Sequence, residues 1–175
     1  GSRFDEHSIA GNEDSHRATL AYLFDDKSTK LKSSYGTGFR FPSLFEQYYV
    51  YAANAKSLGK QKAEKSESFD IGIEKSFLNM GLSFDVSYFN IKYRDVLEGW
   101  KDGTSSGLAY TTENMPGTAT SEGVELASKW KASDLLDFVF NYTWTSTYDG
   151  AEQDDPNKNE NYYDARLVRV PRHLV

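Results

Sequence analysis

Large apolar or aromatic side chains occupy every second position between residues 136 and 145. They are Leu136, Phe138, Phe140, Tyr142 and Trp144, and the residues between them are mostly polar, Val139 being the exception. Successive side chains of a strand point to opposite faces, so this period of two predicts a strand with one apolar face. Its length also suits a strand that crosses a bilayer at a tilt, which needs roughly 9–11 residues.

The same alternation returns along the chain, in places only partly. It predicts further strands at 1–7, 15–24, 29–39, 67–77, 82–88, 108–131 and 166–175. The strand at 82–88 extends less regularly toward Trp100. Pro116 predicts a bulge or a strand end, because proline cannot donate to a strand ladder. About eight strands in an all-β, antiparallel arrangement are therefore expected.

The predicted connections alternate in length. Those at 25–28, 78–81 and 133–134 are tight, whereas those at 8–14, 40–65, 101–107 and 149–165 are longer. Outer-membrane barrels have short periplasmic turns and long extracellular loops. A soluble sandwich with Greek-key connections mixes loop lengths at both ends. The pattern favours a transmembrane β-barrel.

The composition agrees with this interpretation. Aromatic residues make up 15% of the 175 residues, although the mean hydropathy is -0.66. A membrane barrel reconciles the two values, because only alternate residues face lipid. The formal charge of -6 argues against a nucleic-acid partner, whose phosphates require a basic surface.

Candidate chemistry is sparse. The chain has no cysteine, and His7, His16 and His173 are scattered, so neither a metal site nor a cofactor is expected. Carboxylates predicted to face the lumen are interpreted as charges balanced by basic residues rather than as a catalytic pair, and no enzyme activity is expected. The carboxylates are Asp70, Glu74, Asp85 and Glu125, and the basic residues are Lys30, Lys32, Lys129 and Arg40. Calcium binding by the acidic loop at 149–165 stays open.

The connection at 40–65 is unusually aromatic for an exposed loop. Its aromatic side chains fit either a ligand-contacting patch over a barrel mouth or the core of the folded loop, and the sequence does not separate the two. The residues predicted to contact a ligand are Arg40, Phe41, Phe45, Tyr48, Tyr49 and Tyr51.

Several motifs, in order, resemble TonB-dependent outer-membrane receptors. The run from Lys32 to Tyr48 contains Tyr-Gly-Thr-Gly-Phe-Arg-Phe-Pro, which is similar to the strand that leads into an extracellular loop in that family. The stretches 62–74, 86–96, 121–126 and 169–173 follow the family's series, with Ala63 in place of the usual proline. The ending Arg-Val-Pro-Arg-His is most similar to receptors of the vitamin B12 and siderophore type.

The resemblance implies active uptake of a bulky, scarce nutrient such as a metal–siderophore, haem or cobalamin. It implies that residues 1–175 are part of a plugged barrel of the 22-stranded type, located in the outer membrane of a Gram-negative bacterium. The plug, the remaining strands and the segment that reaches TonB would lie outside this chain. The implied partners are outer-membrane lipid, the nutrient and the TonB complex.

Two alternative interpretations fit part of the strand pattern. Eight strands are also enough for a small closed outer-membrane barrel that acts as an adhesin or an anchor. A soluble β-sandwich that binds carbohydrate through Trp and Tyr belongs to a different class. The motif order and the long connection at 40–65 favour the receptor.

Overall fold

A computed structural model describes residues 1–8, 11–48, 61–102, 109–114, 117–150 and 170–175. Within these ranges the chain forms ten strands and one short α-helix. In chain order they are β1 (Ser2–His7), β2 (Gly11–Leu23), β3 (Thr29–Arg40), α1 (Leu44–Tyr48), β4 (Glu64–Phe77), β5 (Leu82–Arg94), β6 (Leu97–Asp102), β7 (Ala109–Asn114), β8 (Thr118–Ser133), β9 (Leu136–Asp149) and β10 (His173–Leu174). None of the described helices has the length and apolarity that a membrane crossing would require.

Eight of the strands form one antiparallel sheet in the order β1-β2-β3-β4-β5-β8-β9-β10. Strands β6 and β7 form a separate hairpin, inserted between β5 and β8. Neighbours in the large sheet are therefore mostly neighbours in sequence, as expected for an up-and-down barrel wall. The all-β prediction and the count of about eight strands in one sheet are confirmed.

The strand register joins the alternating residues into one continuous apolar face. Leu31 lies opposite both Tyr22 and Ile73, Ile73 opposite Val86, and the series continues through Leu126 to Tyr142. Many of these side chains are exposed; Ile73, for example, is 46% accessible. The sheet therefore presents a broad apolar surface instead of burying it in a core of its own.

The opposite face is polar and partly charged. Lys32 forms an ion pair with Asp85, and Lys30 Nζ lies 3.8 Å from a carboxylate oxygen of Glu74. The hydroxyl of Ser34 donates to the Asp70 carboxylate. The prediction that basic residues balance carboxylates on this face is confirmed for these two ion pairs.

The tight connections lie at one end of the sheet. Residues 24–28 join β2 to β3, a 3-10 turn at Leu78–Met80 joins β4 to β5, and residues 134–135 join β8 to β9. Gly81 closes the 3-10 turn with φ 60, a left-handed conformation that glycine adopts without steric cost. The three predicted tight turns are confirmed.

Parts of the predicted strand layout differ from the structure. The segment 8–14 is not a long loop, because β2 begins at Gly11 and its first residues pair with β1, for example Glu13 with Asp5. Polar side chains alone did not prevent strand pairing in this exposed hairpin. The strand expected at 108–131 is divided into β7 and β8, and the interval between them contains the proline that predicted a bulge or a strand end, so that part of the prediction is confirmed. Of the strand expected at 166–175, residues 166–169 lie outside the described residues, and only His173–Leu174 form a strand.

Candidate ligand-binding site at the loop end of the sheet

Helix α1 begins at Leu44, shortly after β3 ends at Arg40, and a reciprocal cap stabilises its start. The Glu46 backbone N–H donates to Ser43 Oγ at 3.2 Å, and the Glu46 carboxylate accepts from the Ser43 backbone N–H at 2.7 Å. This is a capping box, Ser-x-x-Glu, which satisfies backbone donors that a helix start leaves unpaired. A helix of five residues has little stability of its own, so such local bonds decide whether it forms.

Arg40, the last residue of β3, anchors this helix to the sheet. Its Nη1 and Nη2 atoms donate to the two Glu46 carboxylate oxygens at 3.0 and 2.9 Å, and its Nε donates to Glu64. A forked guanidinium–carboxylate pair fixes direction as well as distance. The Arg40 bonds lower the pKa of Glu46 to about 2, helped by the bonds from Ser43 and opposed by partial burial.

Glu64 also reaches the inserted hairpin. One of its carboxylate oxygens holds Arg40, while the other accepts the Leu97 backbone N–H at 2.8 Å. The same carboxylate thus contacts the support of α1 and the first residue of β6. Leu97 is only 9% exposed, and Ala63, which precedes Glu64 in the sequence, is fully buried.

Asn114, the last residue of β7, makes a second connection. Its side-chain oxygen accepts from the Lys62 backbone N–H at 2.7 Å, and its amide nitrogen donates to the Lys62 carbonyl at 3.0 Å and the Asp95 carbonyl at 2.7 Å. The amide therefore pairs with the backbone of residue 62 in the way that a neighbouring strand would. Asp95 has φ 53, where the chain leaves β5 to enter the hairpin.

A small aromatic cluster lies beside the anchor. The Phe41 ring stacks on His7 with centroids 4.8 Å apart and packs against Phe39 at 5.2 Å. The Arg3 guanidinium lies 5.9 Å from the centre of the Phe39 ring, within cation–π range. These contacts connect the start of the loop to β1.

The predicted site residues are distributed as follows. Arg40 and Phe41 lie together at the root of the loop, and Phe45 and Tyr48 belong to α1. Tyr49 and Tyr51 lie outside the described residues. Contact of these six residues with a ligand stays a prediction.

Sequence reasoning missed the residues that hold the loop in place. The capping pair Ser43 and Glu46 has a readable signal in the spacing Ser-x-x-Glu after Pro42. Glu64 and Asn114 have no such signal, because their partners are 33 and 52 residues away in sequence. Among the described residues, no group of acidic, histidine or cysteine side chains is arranged to hold a metal ion.

An antiparallel sheet with one apolar and one polar face, tight turns at one end and anchored long connections at the other, has the features of an outer-membrane β-barrel wall. The family model "TonB dependent receptor-like, beta-barrel" matches residues 1–175. The chain belongs to this family, and its sheet is a segment of a larger barrel.

Sequence similarity to a curated transporter agrees with the family assignment. The chain is 26% identical over 128 residues to the vitamin B12 transporter BtuB of Vibrio cholerae, an alignment that covers 73% of this chain and 19% of the transporter. It thus spans about a fifth of the length of that relative.

Solved structures show the same fold. The ferric enterobactin receptor PfeA of Pseudomonas aeruginosa, as mutant R480A, superposes with a TM-score of 0.67 at 24% identity, over 82% of this chain and 24% of that one. The siderophore receptor PirA of Acinetobacter baumannii superposes over 98% of this chain and 27% of that one, with a TM-score of 0.69 at 19% identity. The copper transporter OprC gives a TM-score of 0.64 at 18% identity, over 81% of this chain and 21% of that one.

Proposed function

We propose that this chain is part of the wall and extracellular loops of an active-uptake receptor in the outer membrane of a Gram-negative bacterium. The observation that carries the proposal is the continuous apolar face from β2 to β9, in a chain that matches the receptor-barrel family along its whole length. Apolar side chains that are exposed in the sheet would contact lipid, while the charged face would line the lumen.

The cargo would be a bulky, scarce nutrient bound as a small molecule. A metal–siderophore, haem or cobalamin is proposed because the relatives include a vitamin B12 transporter and a ferric enterobactin receptor. The whole receptor would couple to the TonB complex through a plug region that does not belong to residues 1–175. Receptors of this family move nutrients without transforming them, so we propose no catalytic step.

The small closed barrel is the less favoured alternative. Within the described part of the chain, β1 pairs only with β2 and β10 pairs only with β9, so the sheet does not close on itself. The soluble sandwich is not supported either, because the apolar face has no second sheet packed against it among the described residues.

We propose that the loop anchored by Arg40 contacts the cargo. Phe41, Phe45, Tyr48, Tyr49 and Tyr51 would supply apolar and aromatic contacts. Arg40 already donates to Glu46 and Glu64, so it would support the loop even if it also reached the ligand.

Replacement of Tyr48, Tyr49 and Tyr51 by alanine in the full-length receptor tests this role. Each lost aromatic contact is worth about 1 kcal/mol, so affinity should fall at least tenfold while the barrel still folds. Binding of ferric enterobactin, haem and vitamin B12 should be measured by titration, and folding by resistance of the detergent-solubilised protein to heat.

A control at the other end of the barrel is Leu78→Ala with Met80→Ala, two exposed turn residues. This pair should leave affinity unchanged. If the tyrosine variant binds as tightly as the wild type, the loop does not contact that ligand. If none of the three compounds binds the wild type or rescues growth through it, the proposed cargo class is wrong.

A further inference from the structure

We propose that helix α1 and the β6–β7 hairpin move as one capture unit, joined at their roots by Glu64 and Asn114. The inference rests on the proposed uptake function, which supplies the reason for a capture unit. The binding site would then include the β6–β7 hairpin as a second loop, and Glu64 and Asn114 would position the two loops relative to each other.

The first join is a chain of charged hydrogen bonds. Glu46 in α1 is held by Arg40, Arg40 by Glu64, and Glu64 accepts the backbone N–H of Leu97 in β6. Hydrogen bonds in which a partner is ionised are roughly twice as strong as neutral ones. A displacement of the hairpin would therefore be transmitted to the helix through two carboxylates and one guanidinium.

The second join is the Asn114 amide. It bonds to both backbone groups of Lys62, next to Gln61, whose own side-chain amide donates to the Glu46 carbonyl at 2.8 Å. Asn114 also holds the Asp95 carbonyl, at the point where the hairpin departs from β5. Both ends of the hairpin and both ends of the 41–63 connection thus meet in one hydrogen-bonded region.

Several side chains at these loop roots are buried, although much of the described sheet is exposed. Pro42, Gln47, Ala63 and Leu97 are buried and belong to these two loop roots, and Ala119 is buried near the start of β8. The bonds from Gln61 to Glu46, from Leu97 to Glu64 and from Asn114 to Asp95 are partly buried, and partial exclusion of water strengthens them, whereas the Arg40 bonds are exposed. The joined roots should therefore behave as a rigid base on which both loops move together.

Hydrogen exchange of the full-length receptor without ligand tests the coupling. Glu64→Gln and Asn114→Ala should each accelerate amide exchange roughly tenfold in both α1 and the hairpin, because the bonds that they remove link the two. Asn79→Ala, which changes an exposed asparagine in the tight turn at the opposite end, is the matched control and should change neither. If Asn114→Ala loosens the hairpin and leaves α1 unchanged, the loops are independent and the inference is wrong.

A second exchange experiment, with ligand present, distinguishes failure of the loop coupling from failure of the proposed uptake function. Ferric enterobactin and vitamin B12 are the probes. For a probe that binds, the wild type should show slower exchange in residues 41–48 and in the hairpin, and Asn114→Ala should lose the hairpin protection and bind roughly tenfold more weakly. Protection of residues 41–48 alone in the wild type would overturn the inference and leave the uptake function intact. Protection of neither segment would count against the proposed binding loop, while the ligand-free exchange would still decide the coupling.

Discussion

At the scale of single residues, the space beside Gly123 is too small for any side chain. This glycine lies on β8 opposite Phe89 of β5 and next to the backbone of Trp144 in β9. A Cβ atom here would lie 2.7 Å from Phe89 Cζ and would overlap the Trp144 carbonyl oxygen. Gly36 on β3 differs, because a Cβ atom at that position would have the His16 carbonyl oxygen as its nearest neighbour, at 3.5 Å.

Gly123→Ala should therefore destabilise the barrel, whereas Gly36→Ala should be tolerated. Backbone overlap cannot be relieved by a rotamer change, and we expect a loss of about 2 kcal/mol or more for Gly123→Ala and less than about 1 kcal/mol for Gly36→Ala. The amount of each receptor variant in the outer membrane and its urea midpoint would measure the difference. Equal stability of the two variants would show that the strands move apart without cost.

At the scale of elements, α1 depends on the ionised state of Glu46. The pKa of this carboxyl is about 2 in the folded loop, mainly because of Arg40, against 4.5 ordinarily. A carboxyl whose pKa is lower in the folded state than in the unfolded state contributes its full stability above the unfolded-state pKa. That contribution is lost as the pH falls through the folded-state pKa.

The loop anchor should therefore be constant from pH 7 to about 5 and weaken between about pH 4.5 and 2. Exchange protection or intrinsic fluorescence of the loop in the full-length receptor, followed from pH 7 to 2.5, would check this. Glu46→Gln should already be loosened at pH 7 and show a flatter pH dependence. A wild-type loop that loosens between pH 7 and 5 would mean that another group controls it.

The elements also show what the sequence could and could not predict. Alternation in β4, β5 and β9 depends only on nearby residues, so the period of two revealed both faces before any register was known. The hairpin β6–β7 and its attachment through Asn114 depend on pairing between distant segments, which periodicity does not encode. The start of β2 was missed for a related reason: its polar residues 11–14 form a strand because β1 is available to pair with them.

At the scale of the whole molecule, the proposed membrane location would place one face of the sheet in lipid and the other in a watery lumen. Phe140 and Asn141 are adjacent exposed residues of β9, and the alternation places them on the apolar and polar faces, respectively. An arginine near the middle of the lipid-facing surface of a barrel costs about 2–4 kcal/mol, whereas one facing the lumen is tolerated.

Phe140→Arg should therefore reduce the free energy of folding into lipid vesicles by about 2–4 kcal/mol, and Asn141→Arg by less than about 1 kcal/mol. Urea titration of the full-length receptor in vesicles would measure both. Equal effects of the two substitutions would mean that β9 does not separate hydrocarbon from a watery lumen. A larger effect at Asn141 would place lipid on the opposite face.

The joined roots at Arg40, Glu46, Glu64 and Asn114 also bear on how such receptors diversify. Because hydrogen bonds among residues 40, 46, 61, 62 and 114 fasten both ends of the connection, we expect replacement of residues 49–60 to leave the strands on either side intact. If the proposed contact with cargo is made by this loop, that interval would act as an exchangeable cassette: transplanting it between receptors should transfer preference for cargo while the surrounding scaffold stays the same.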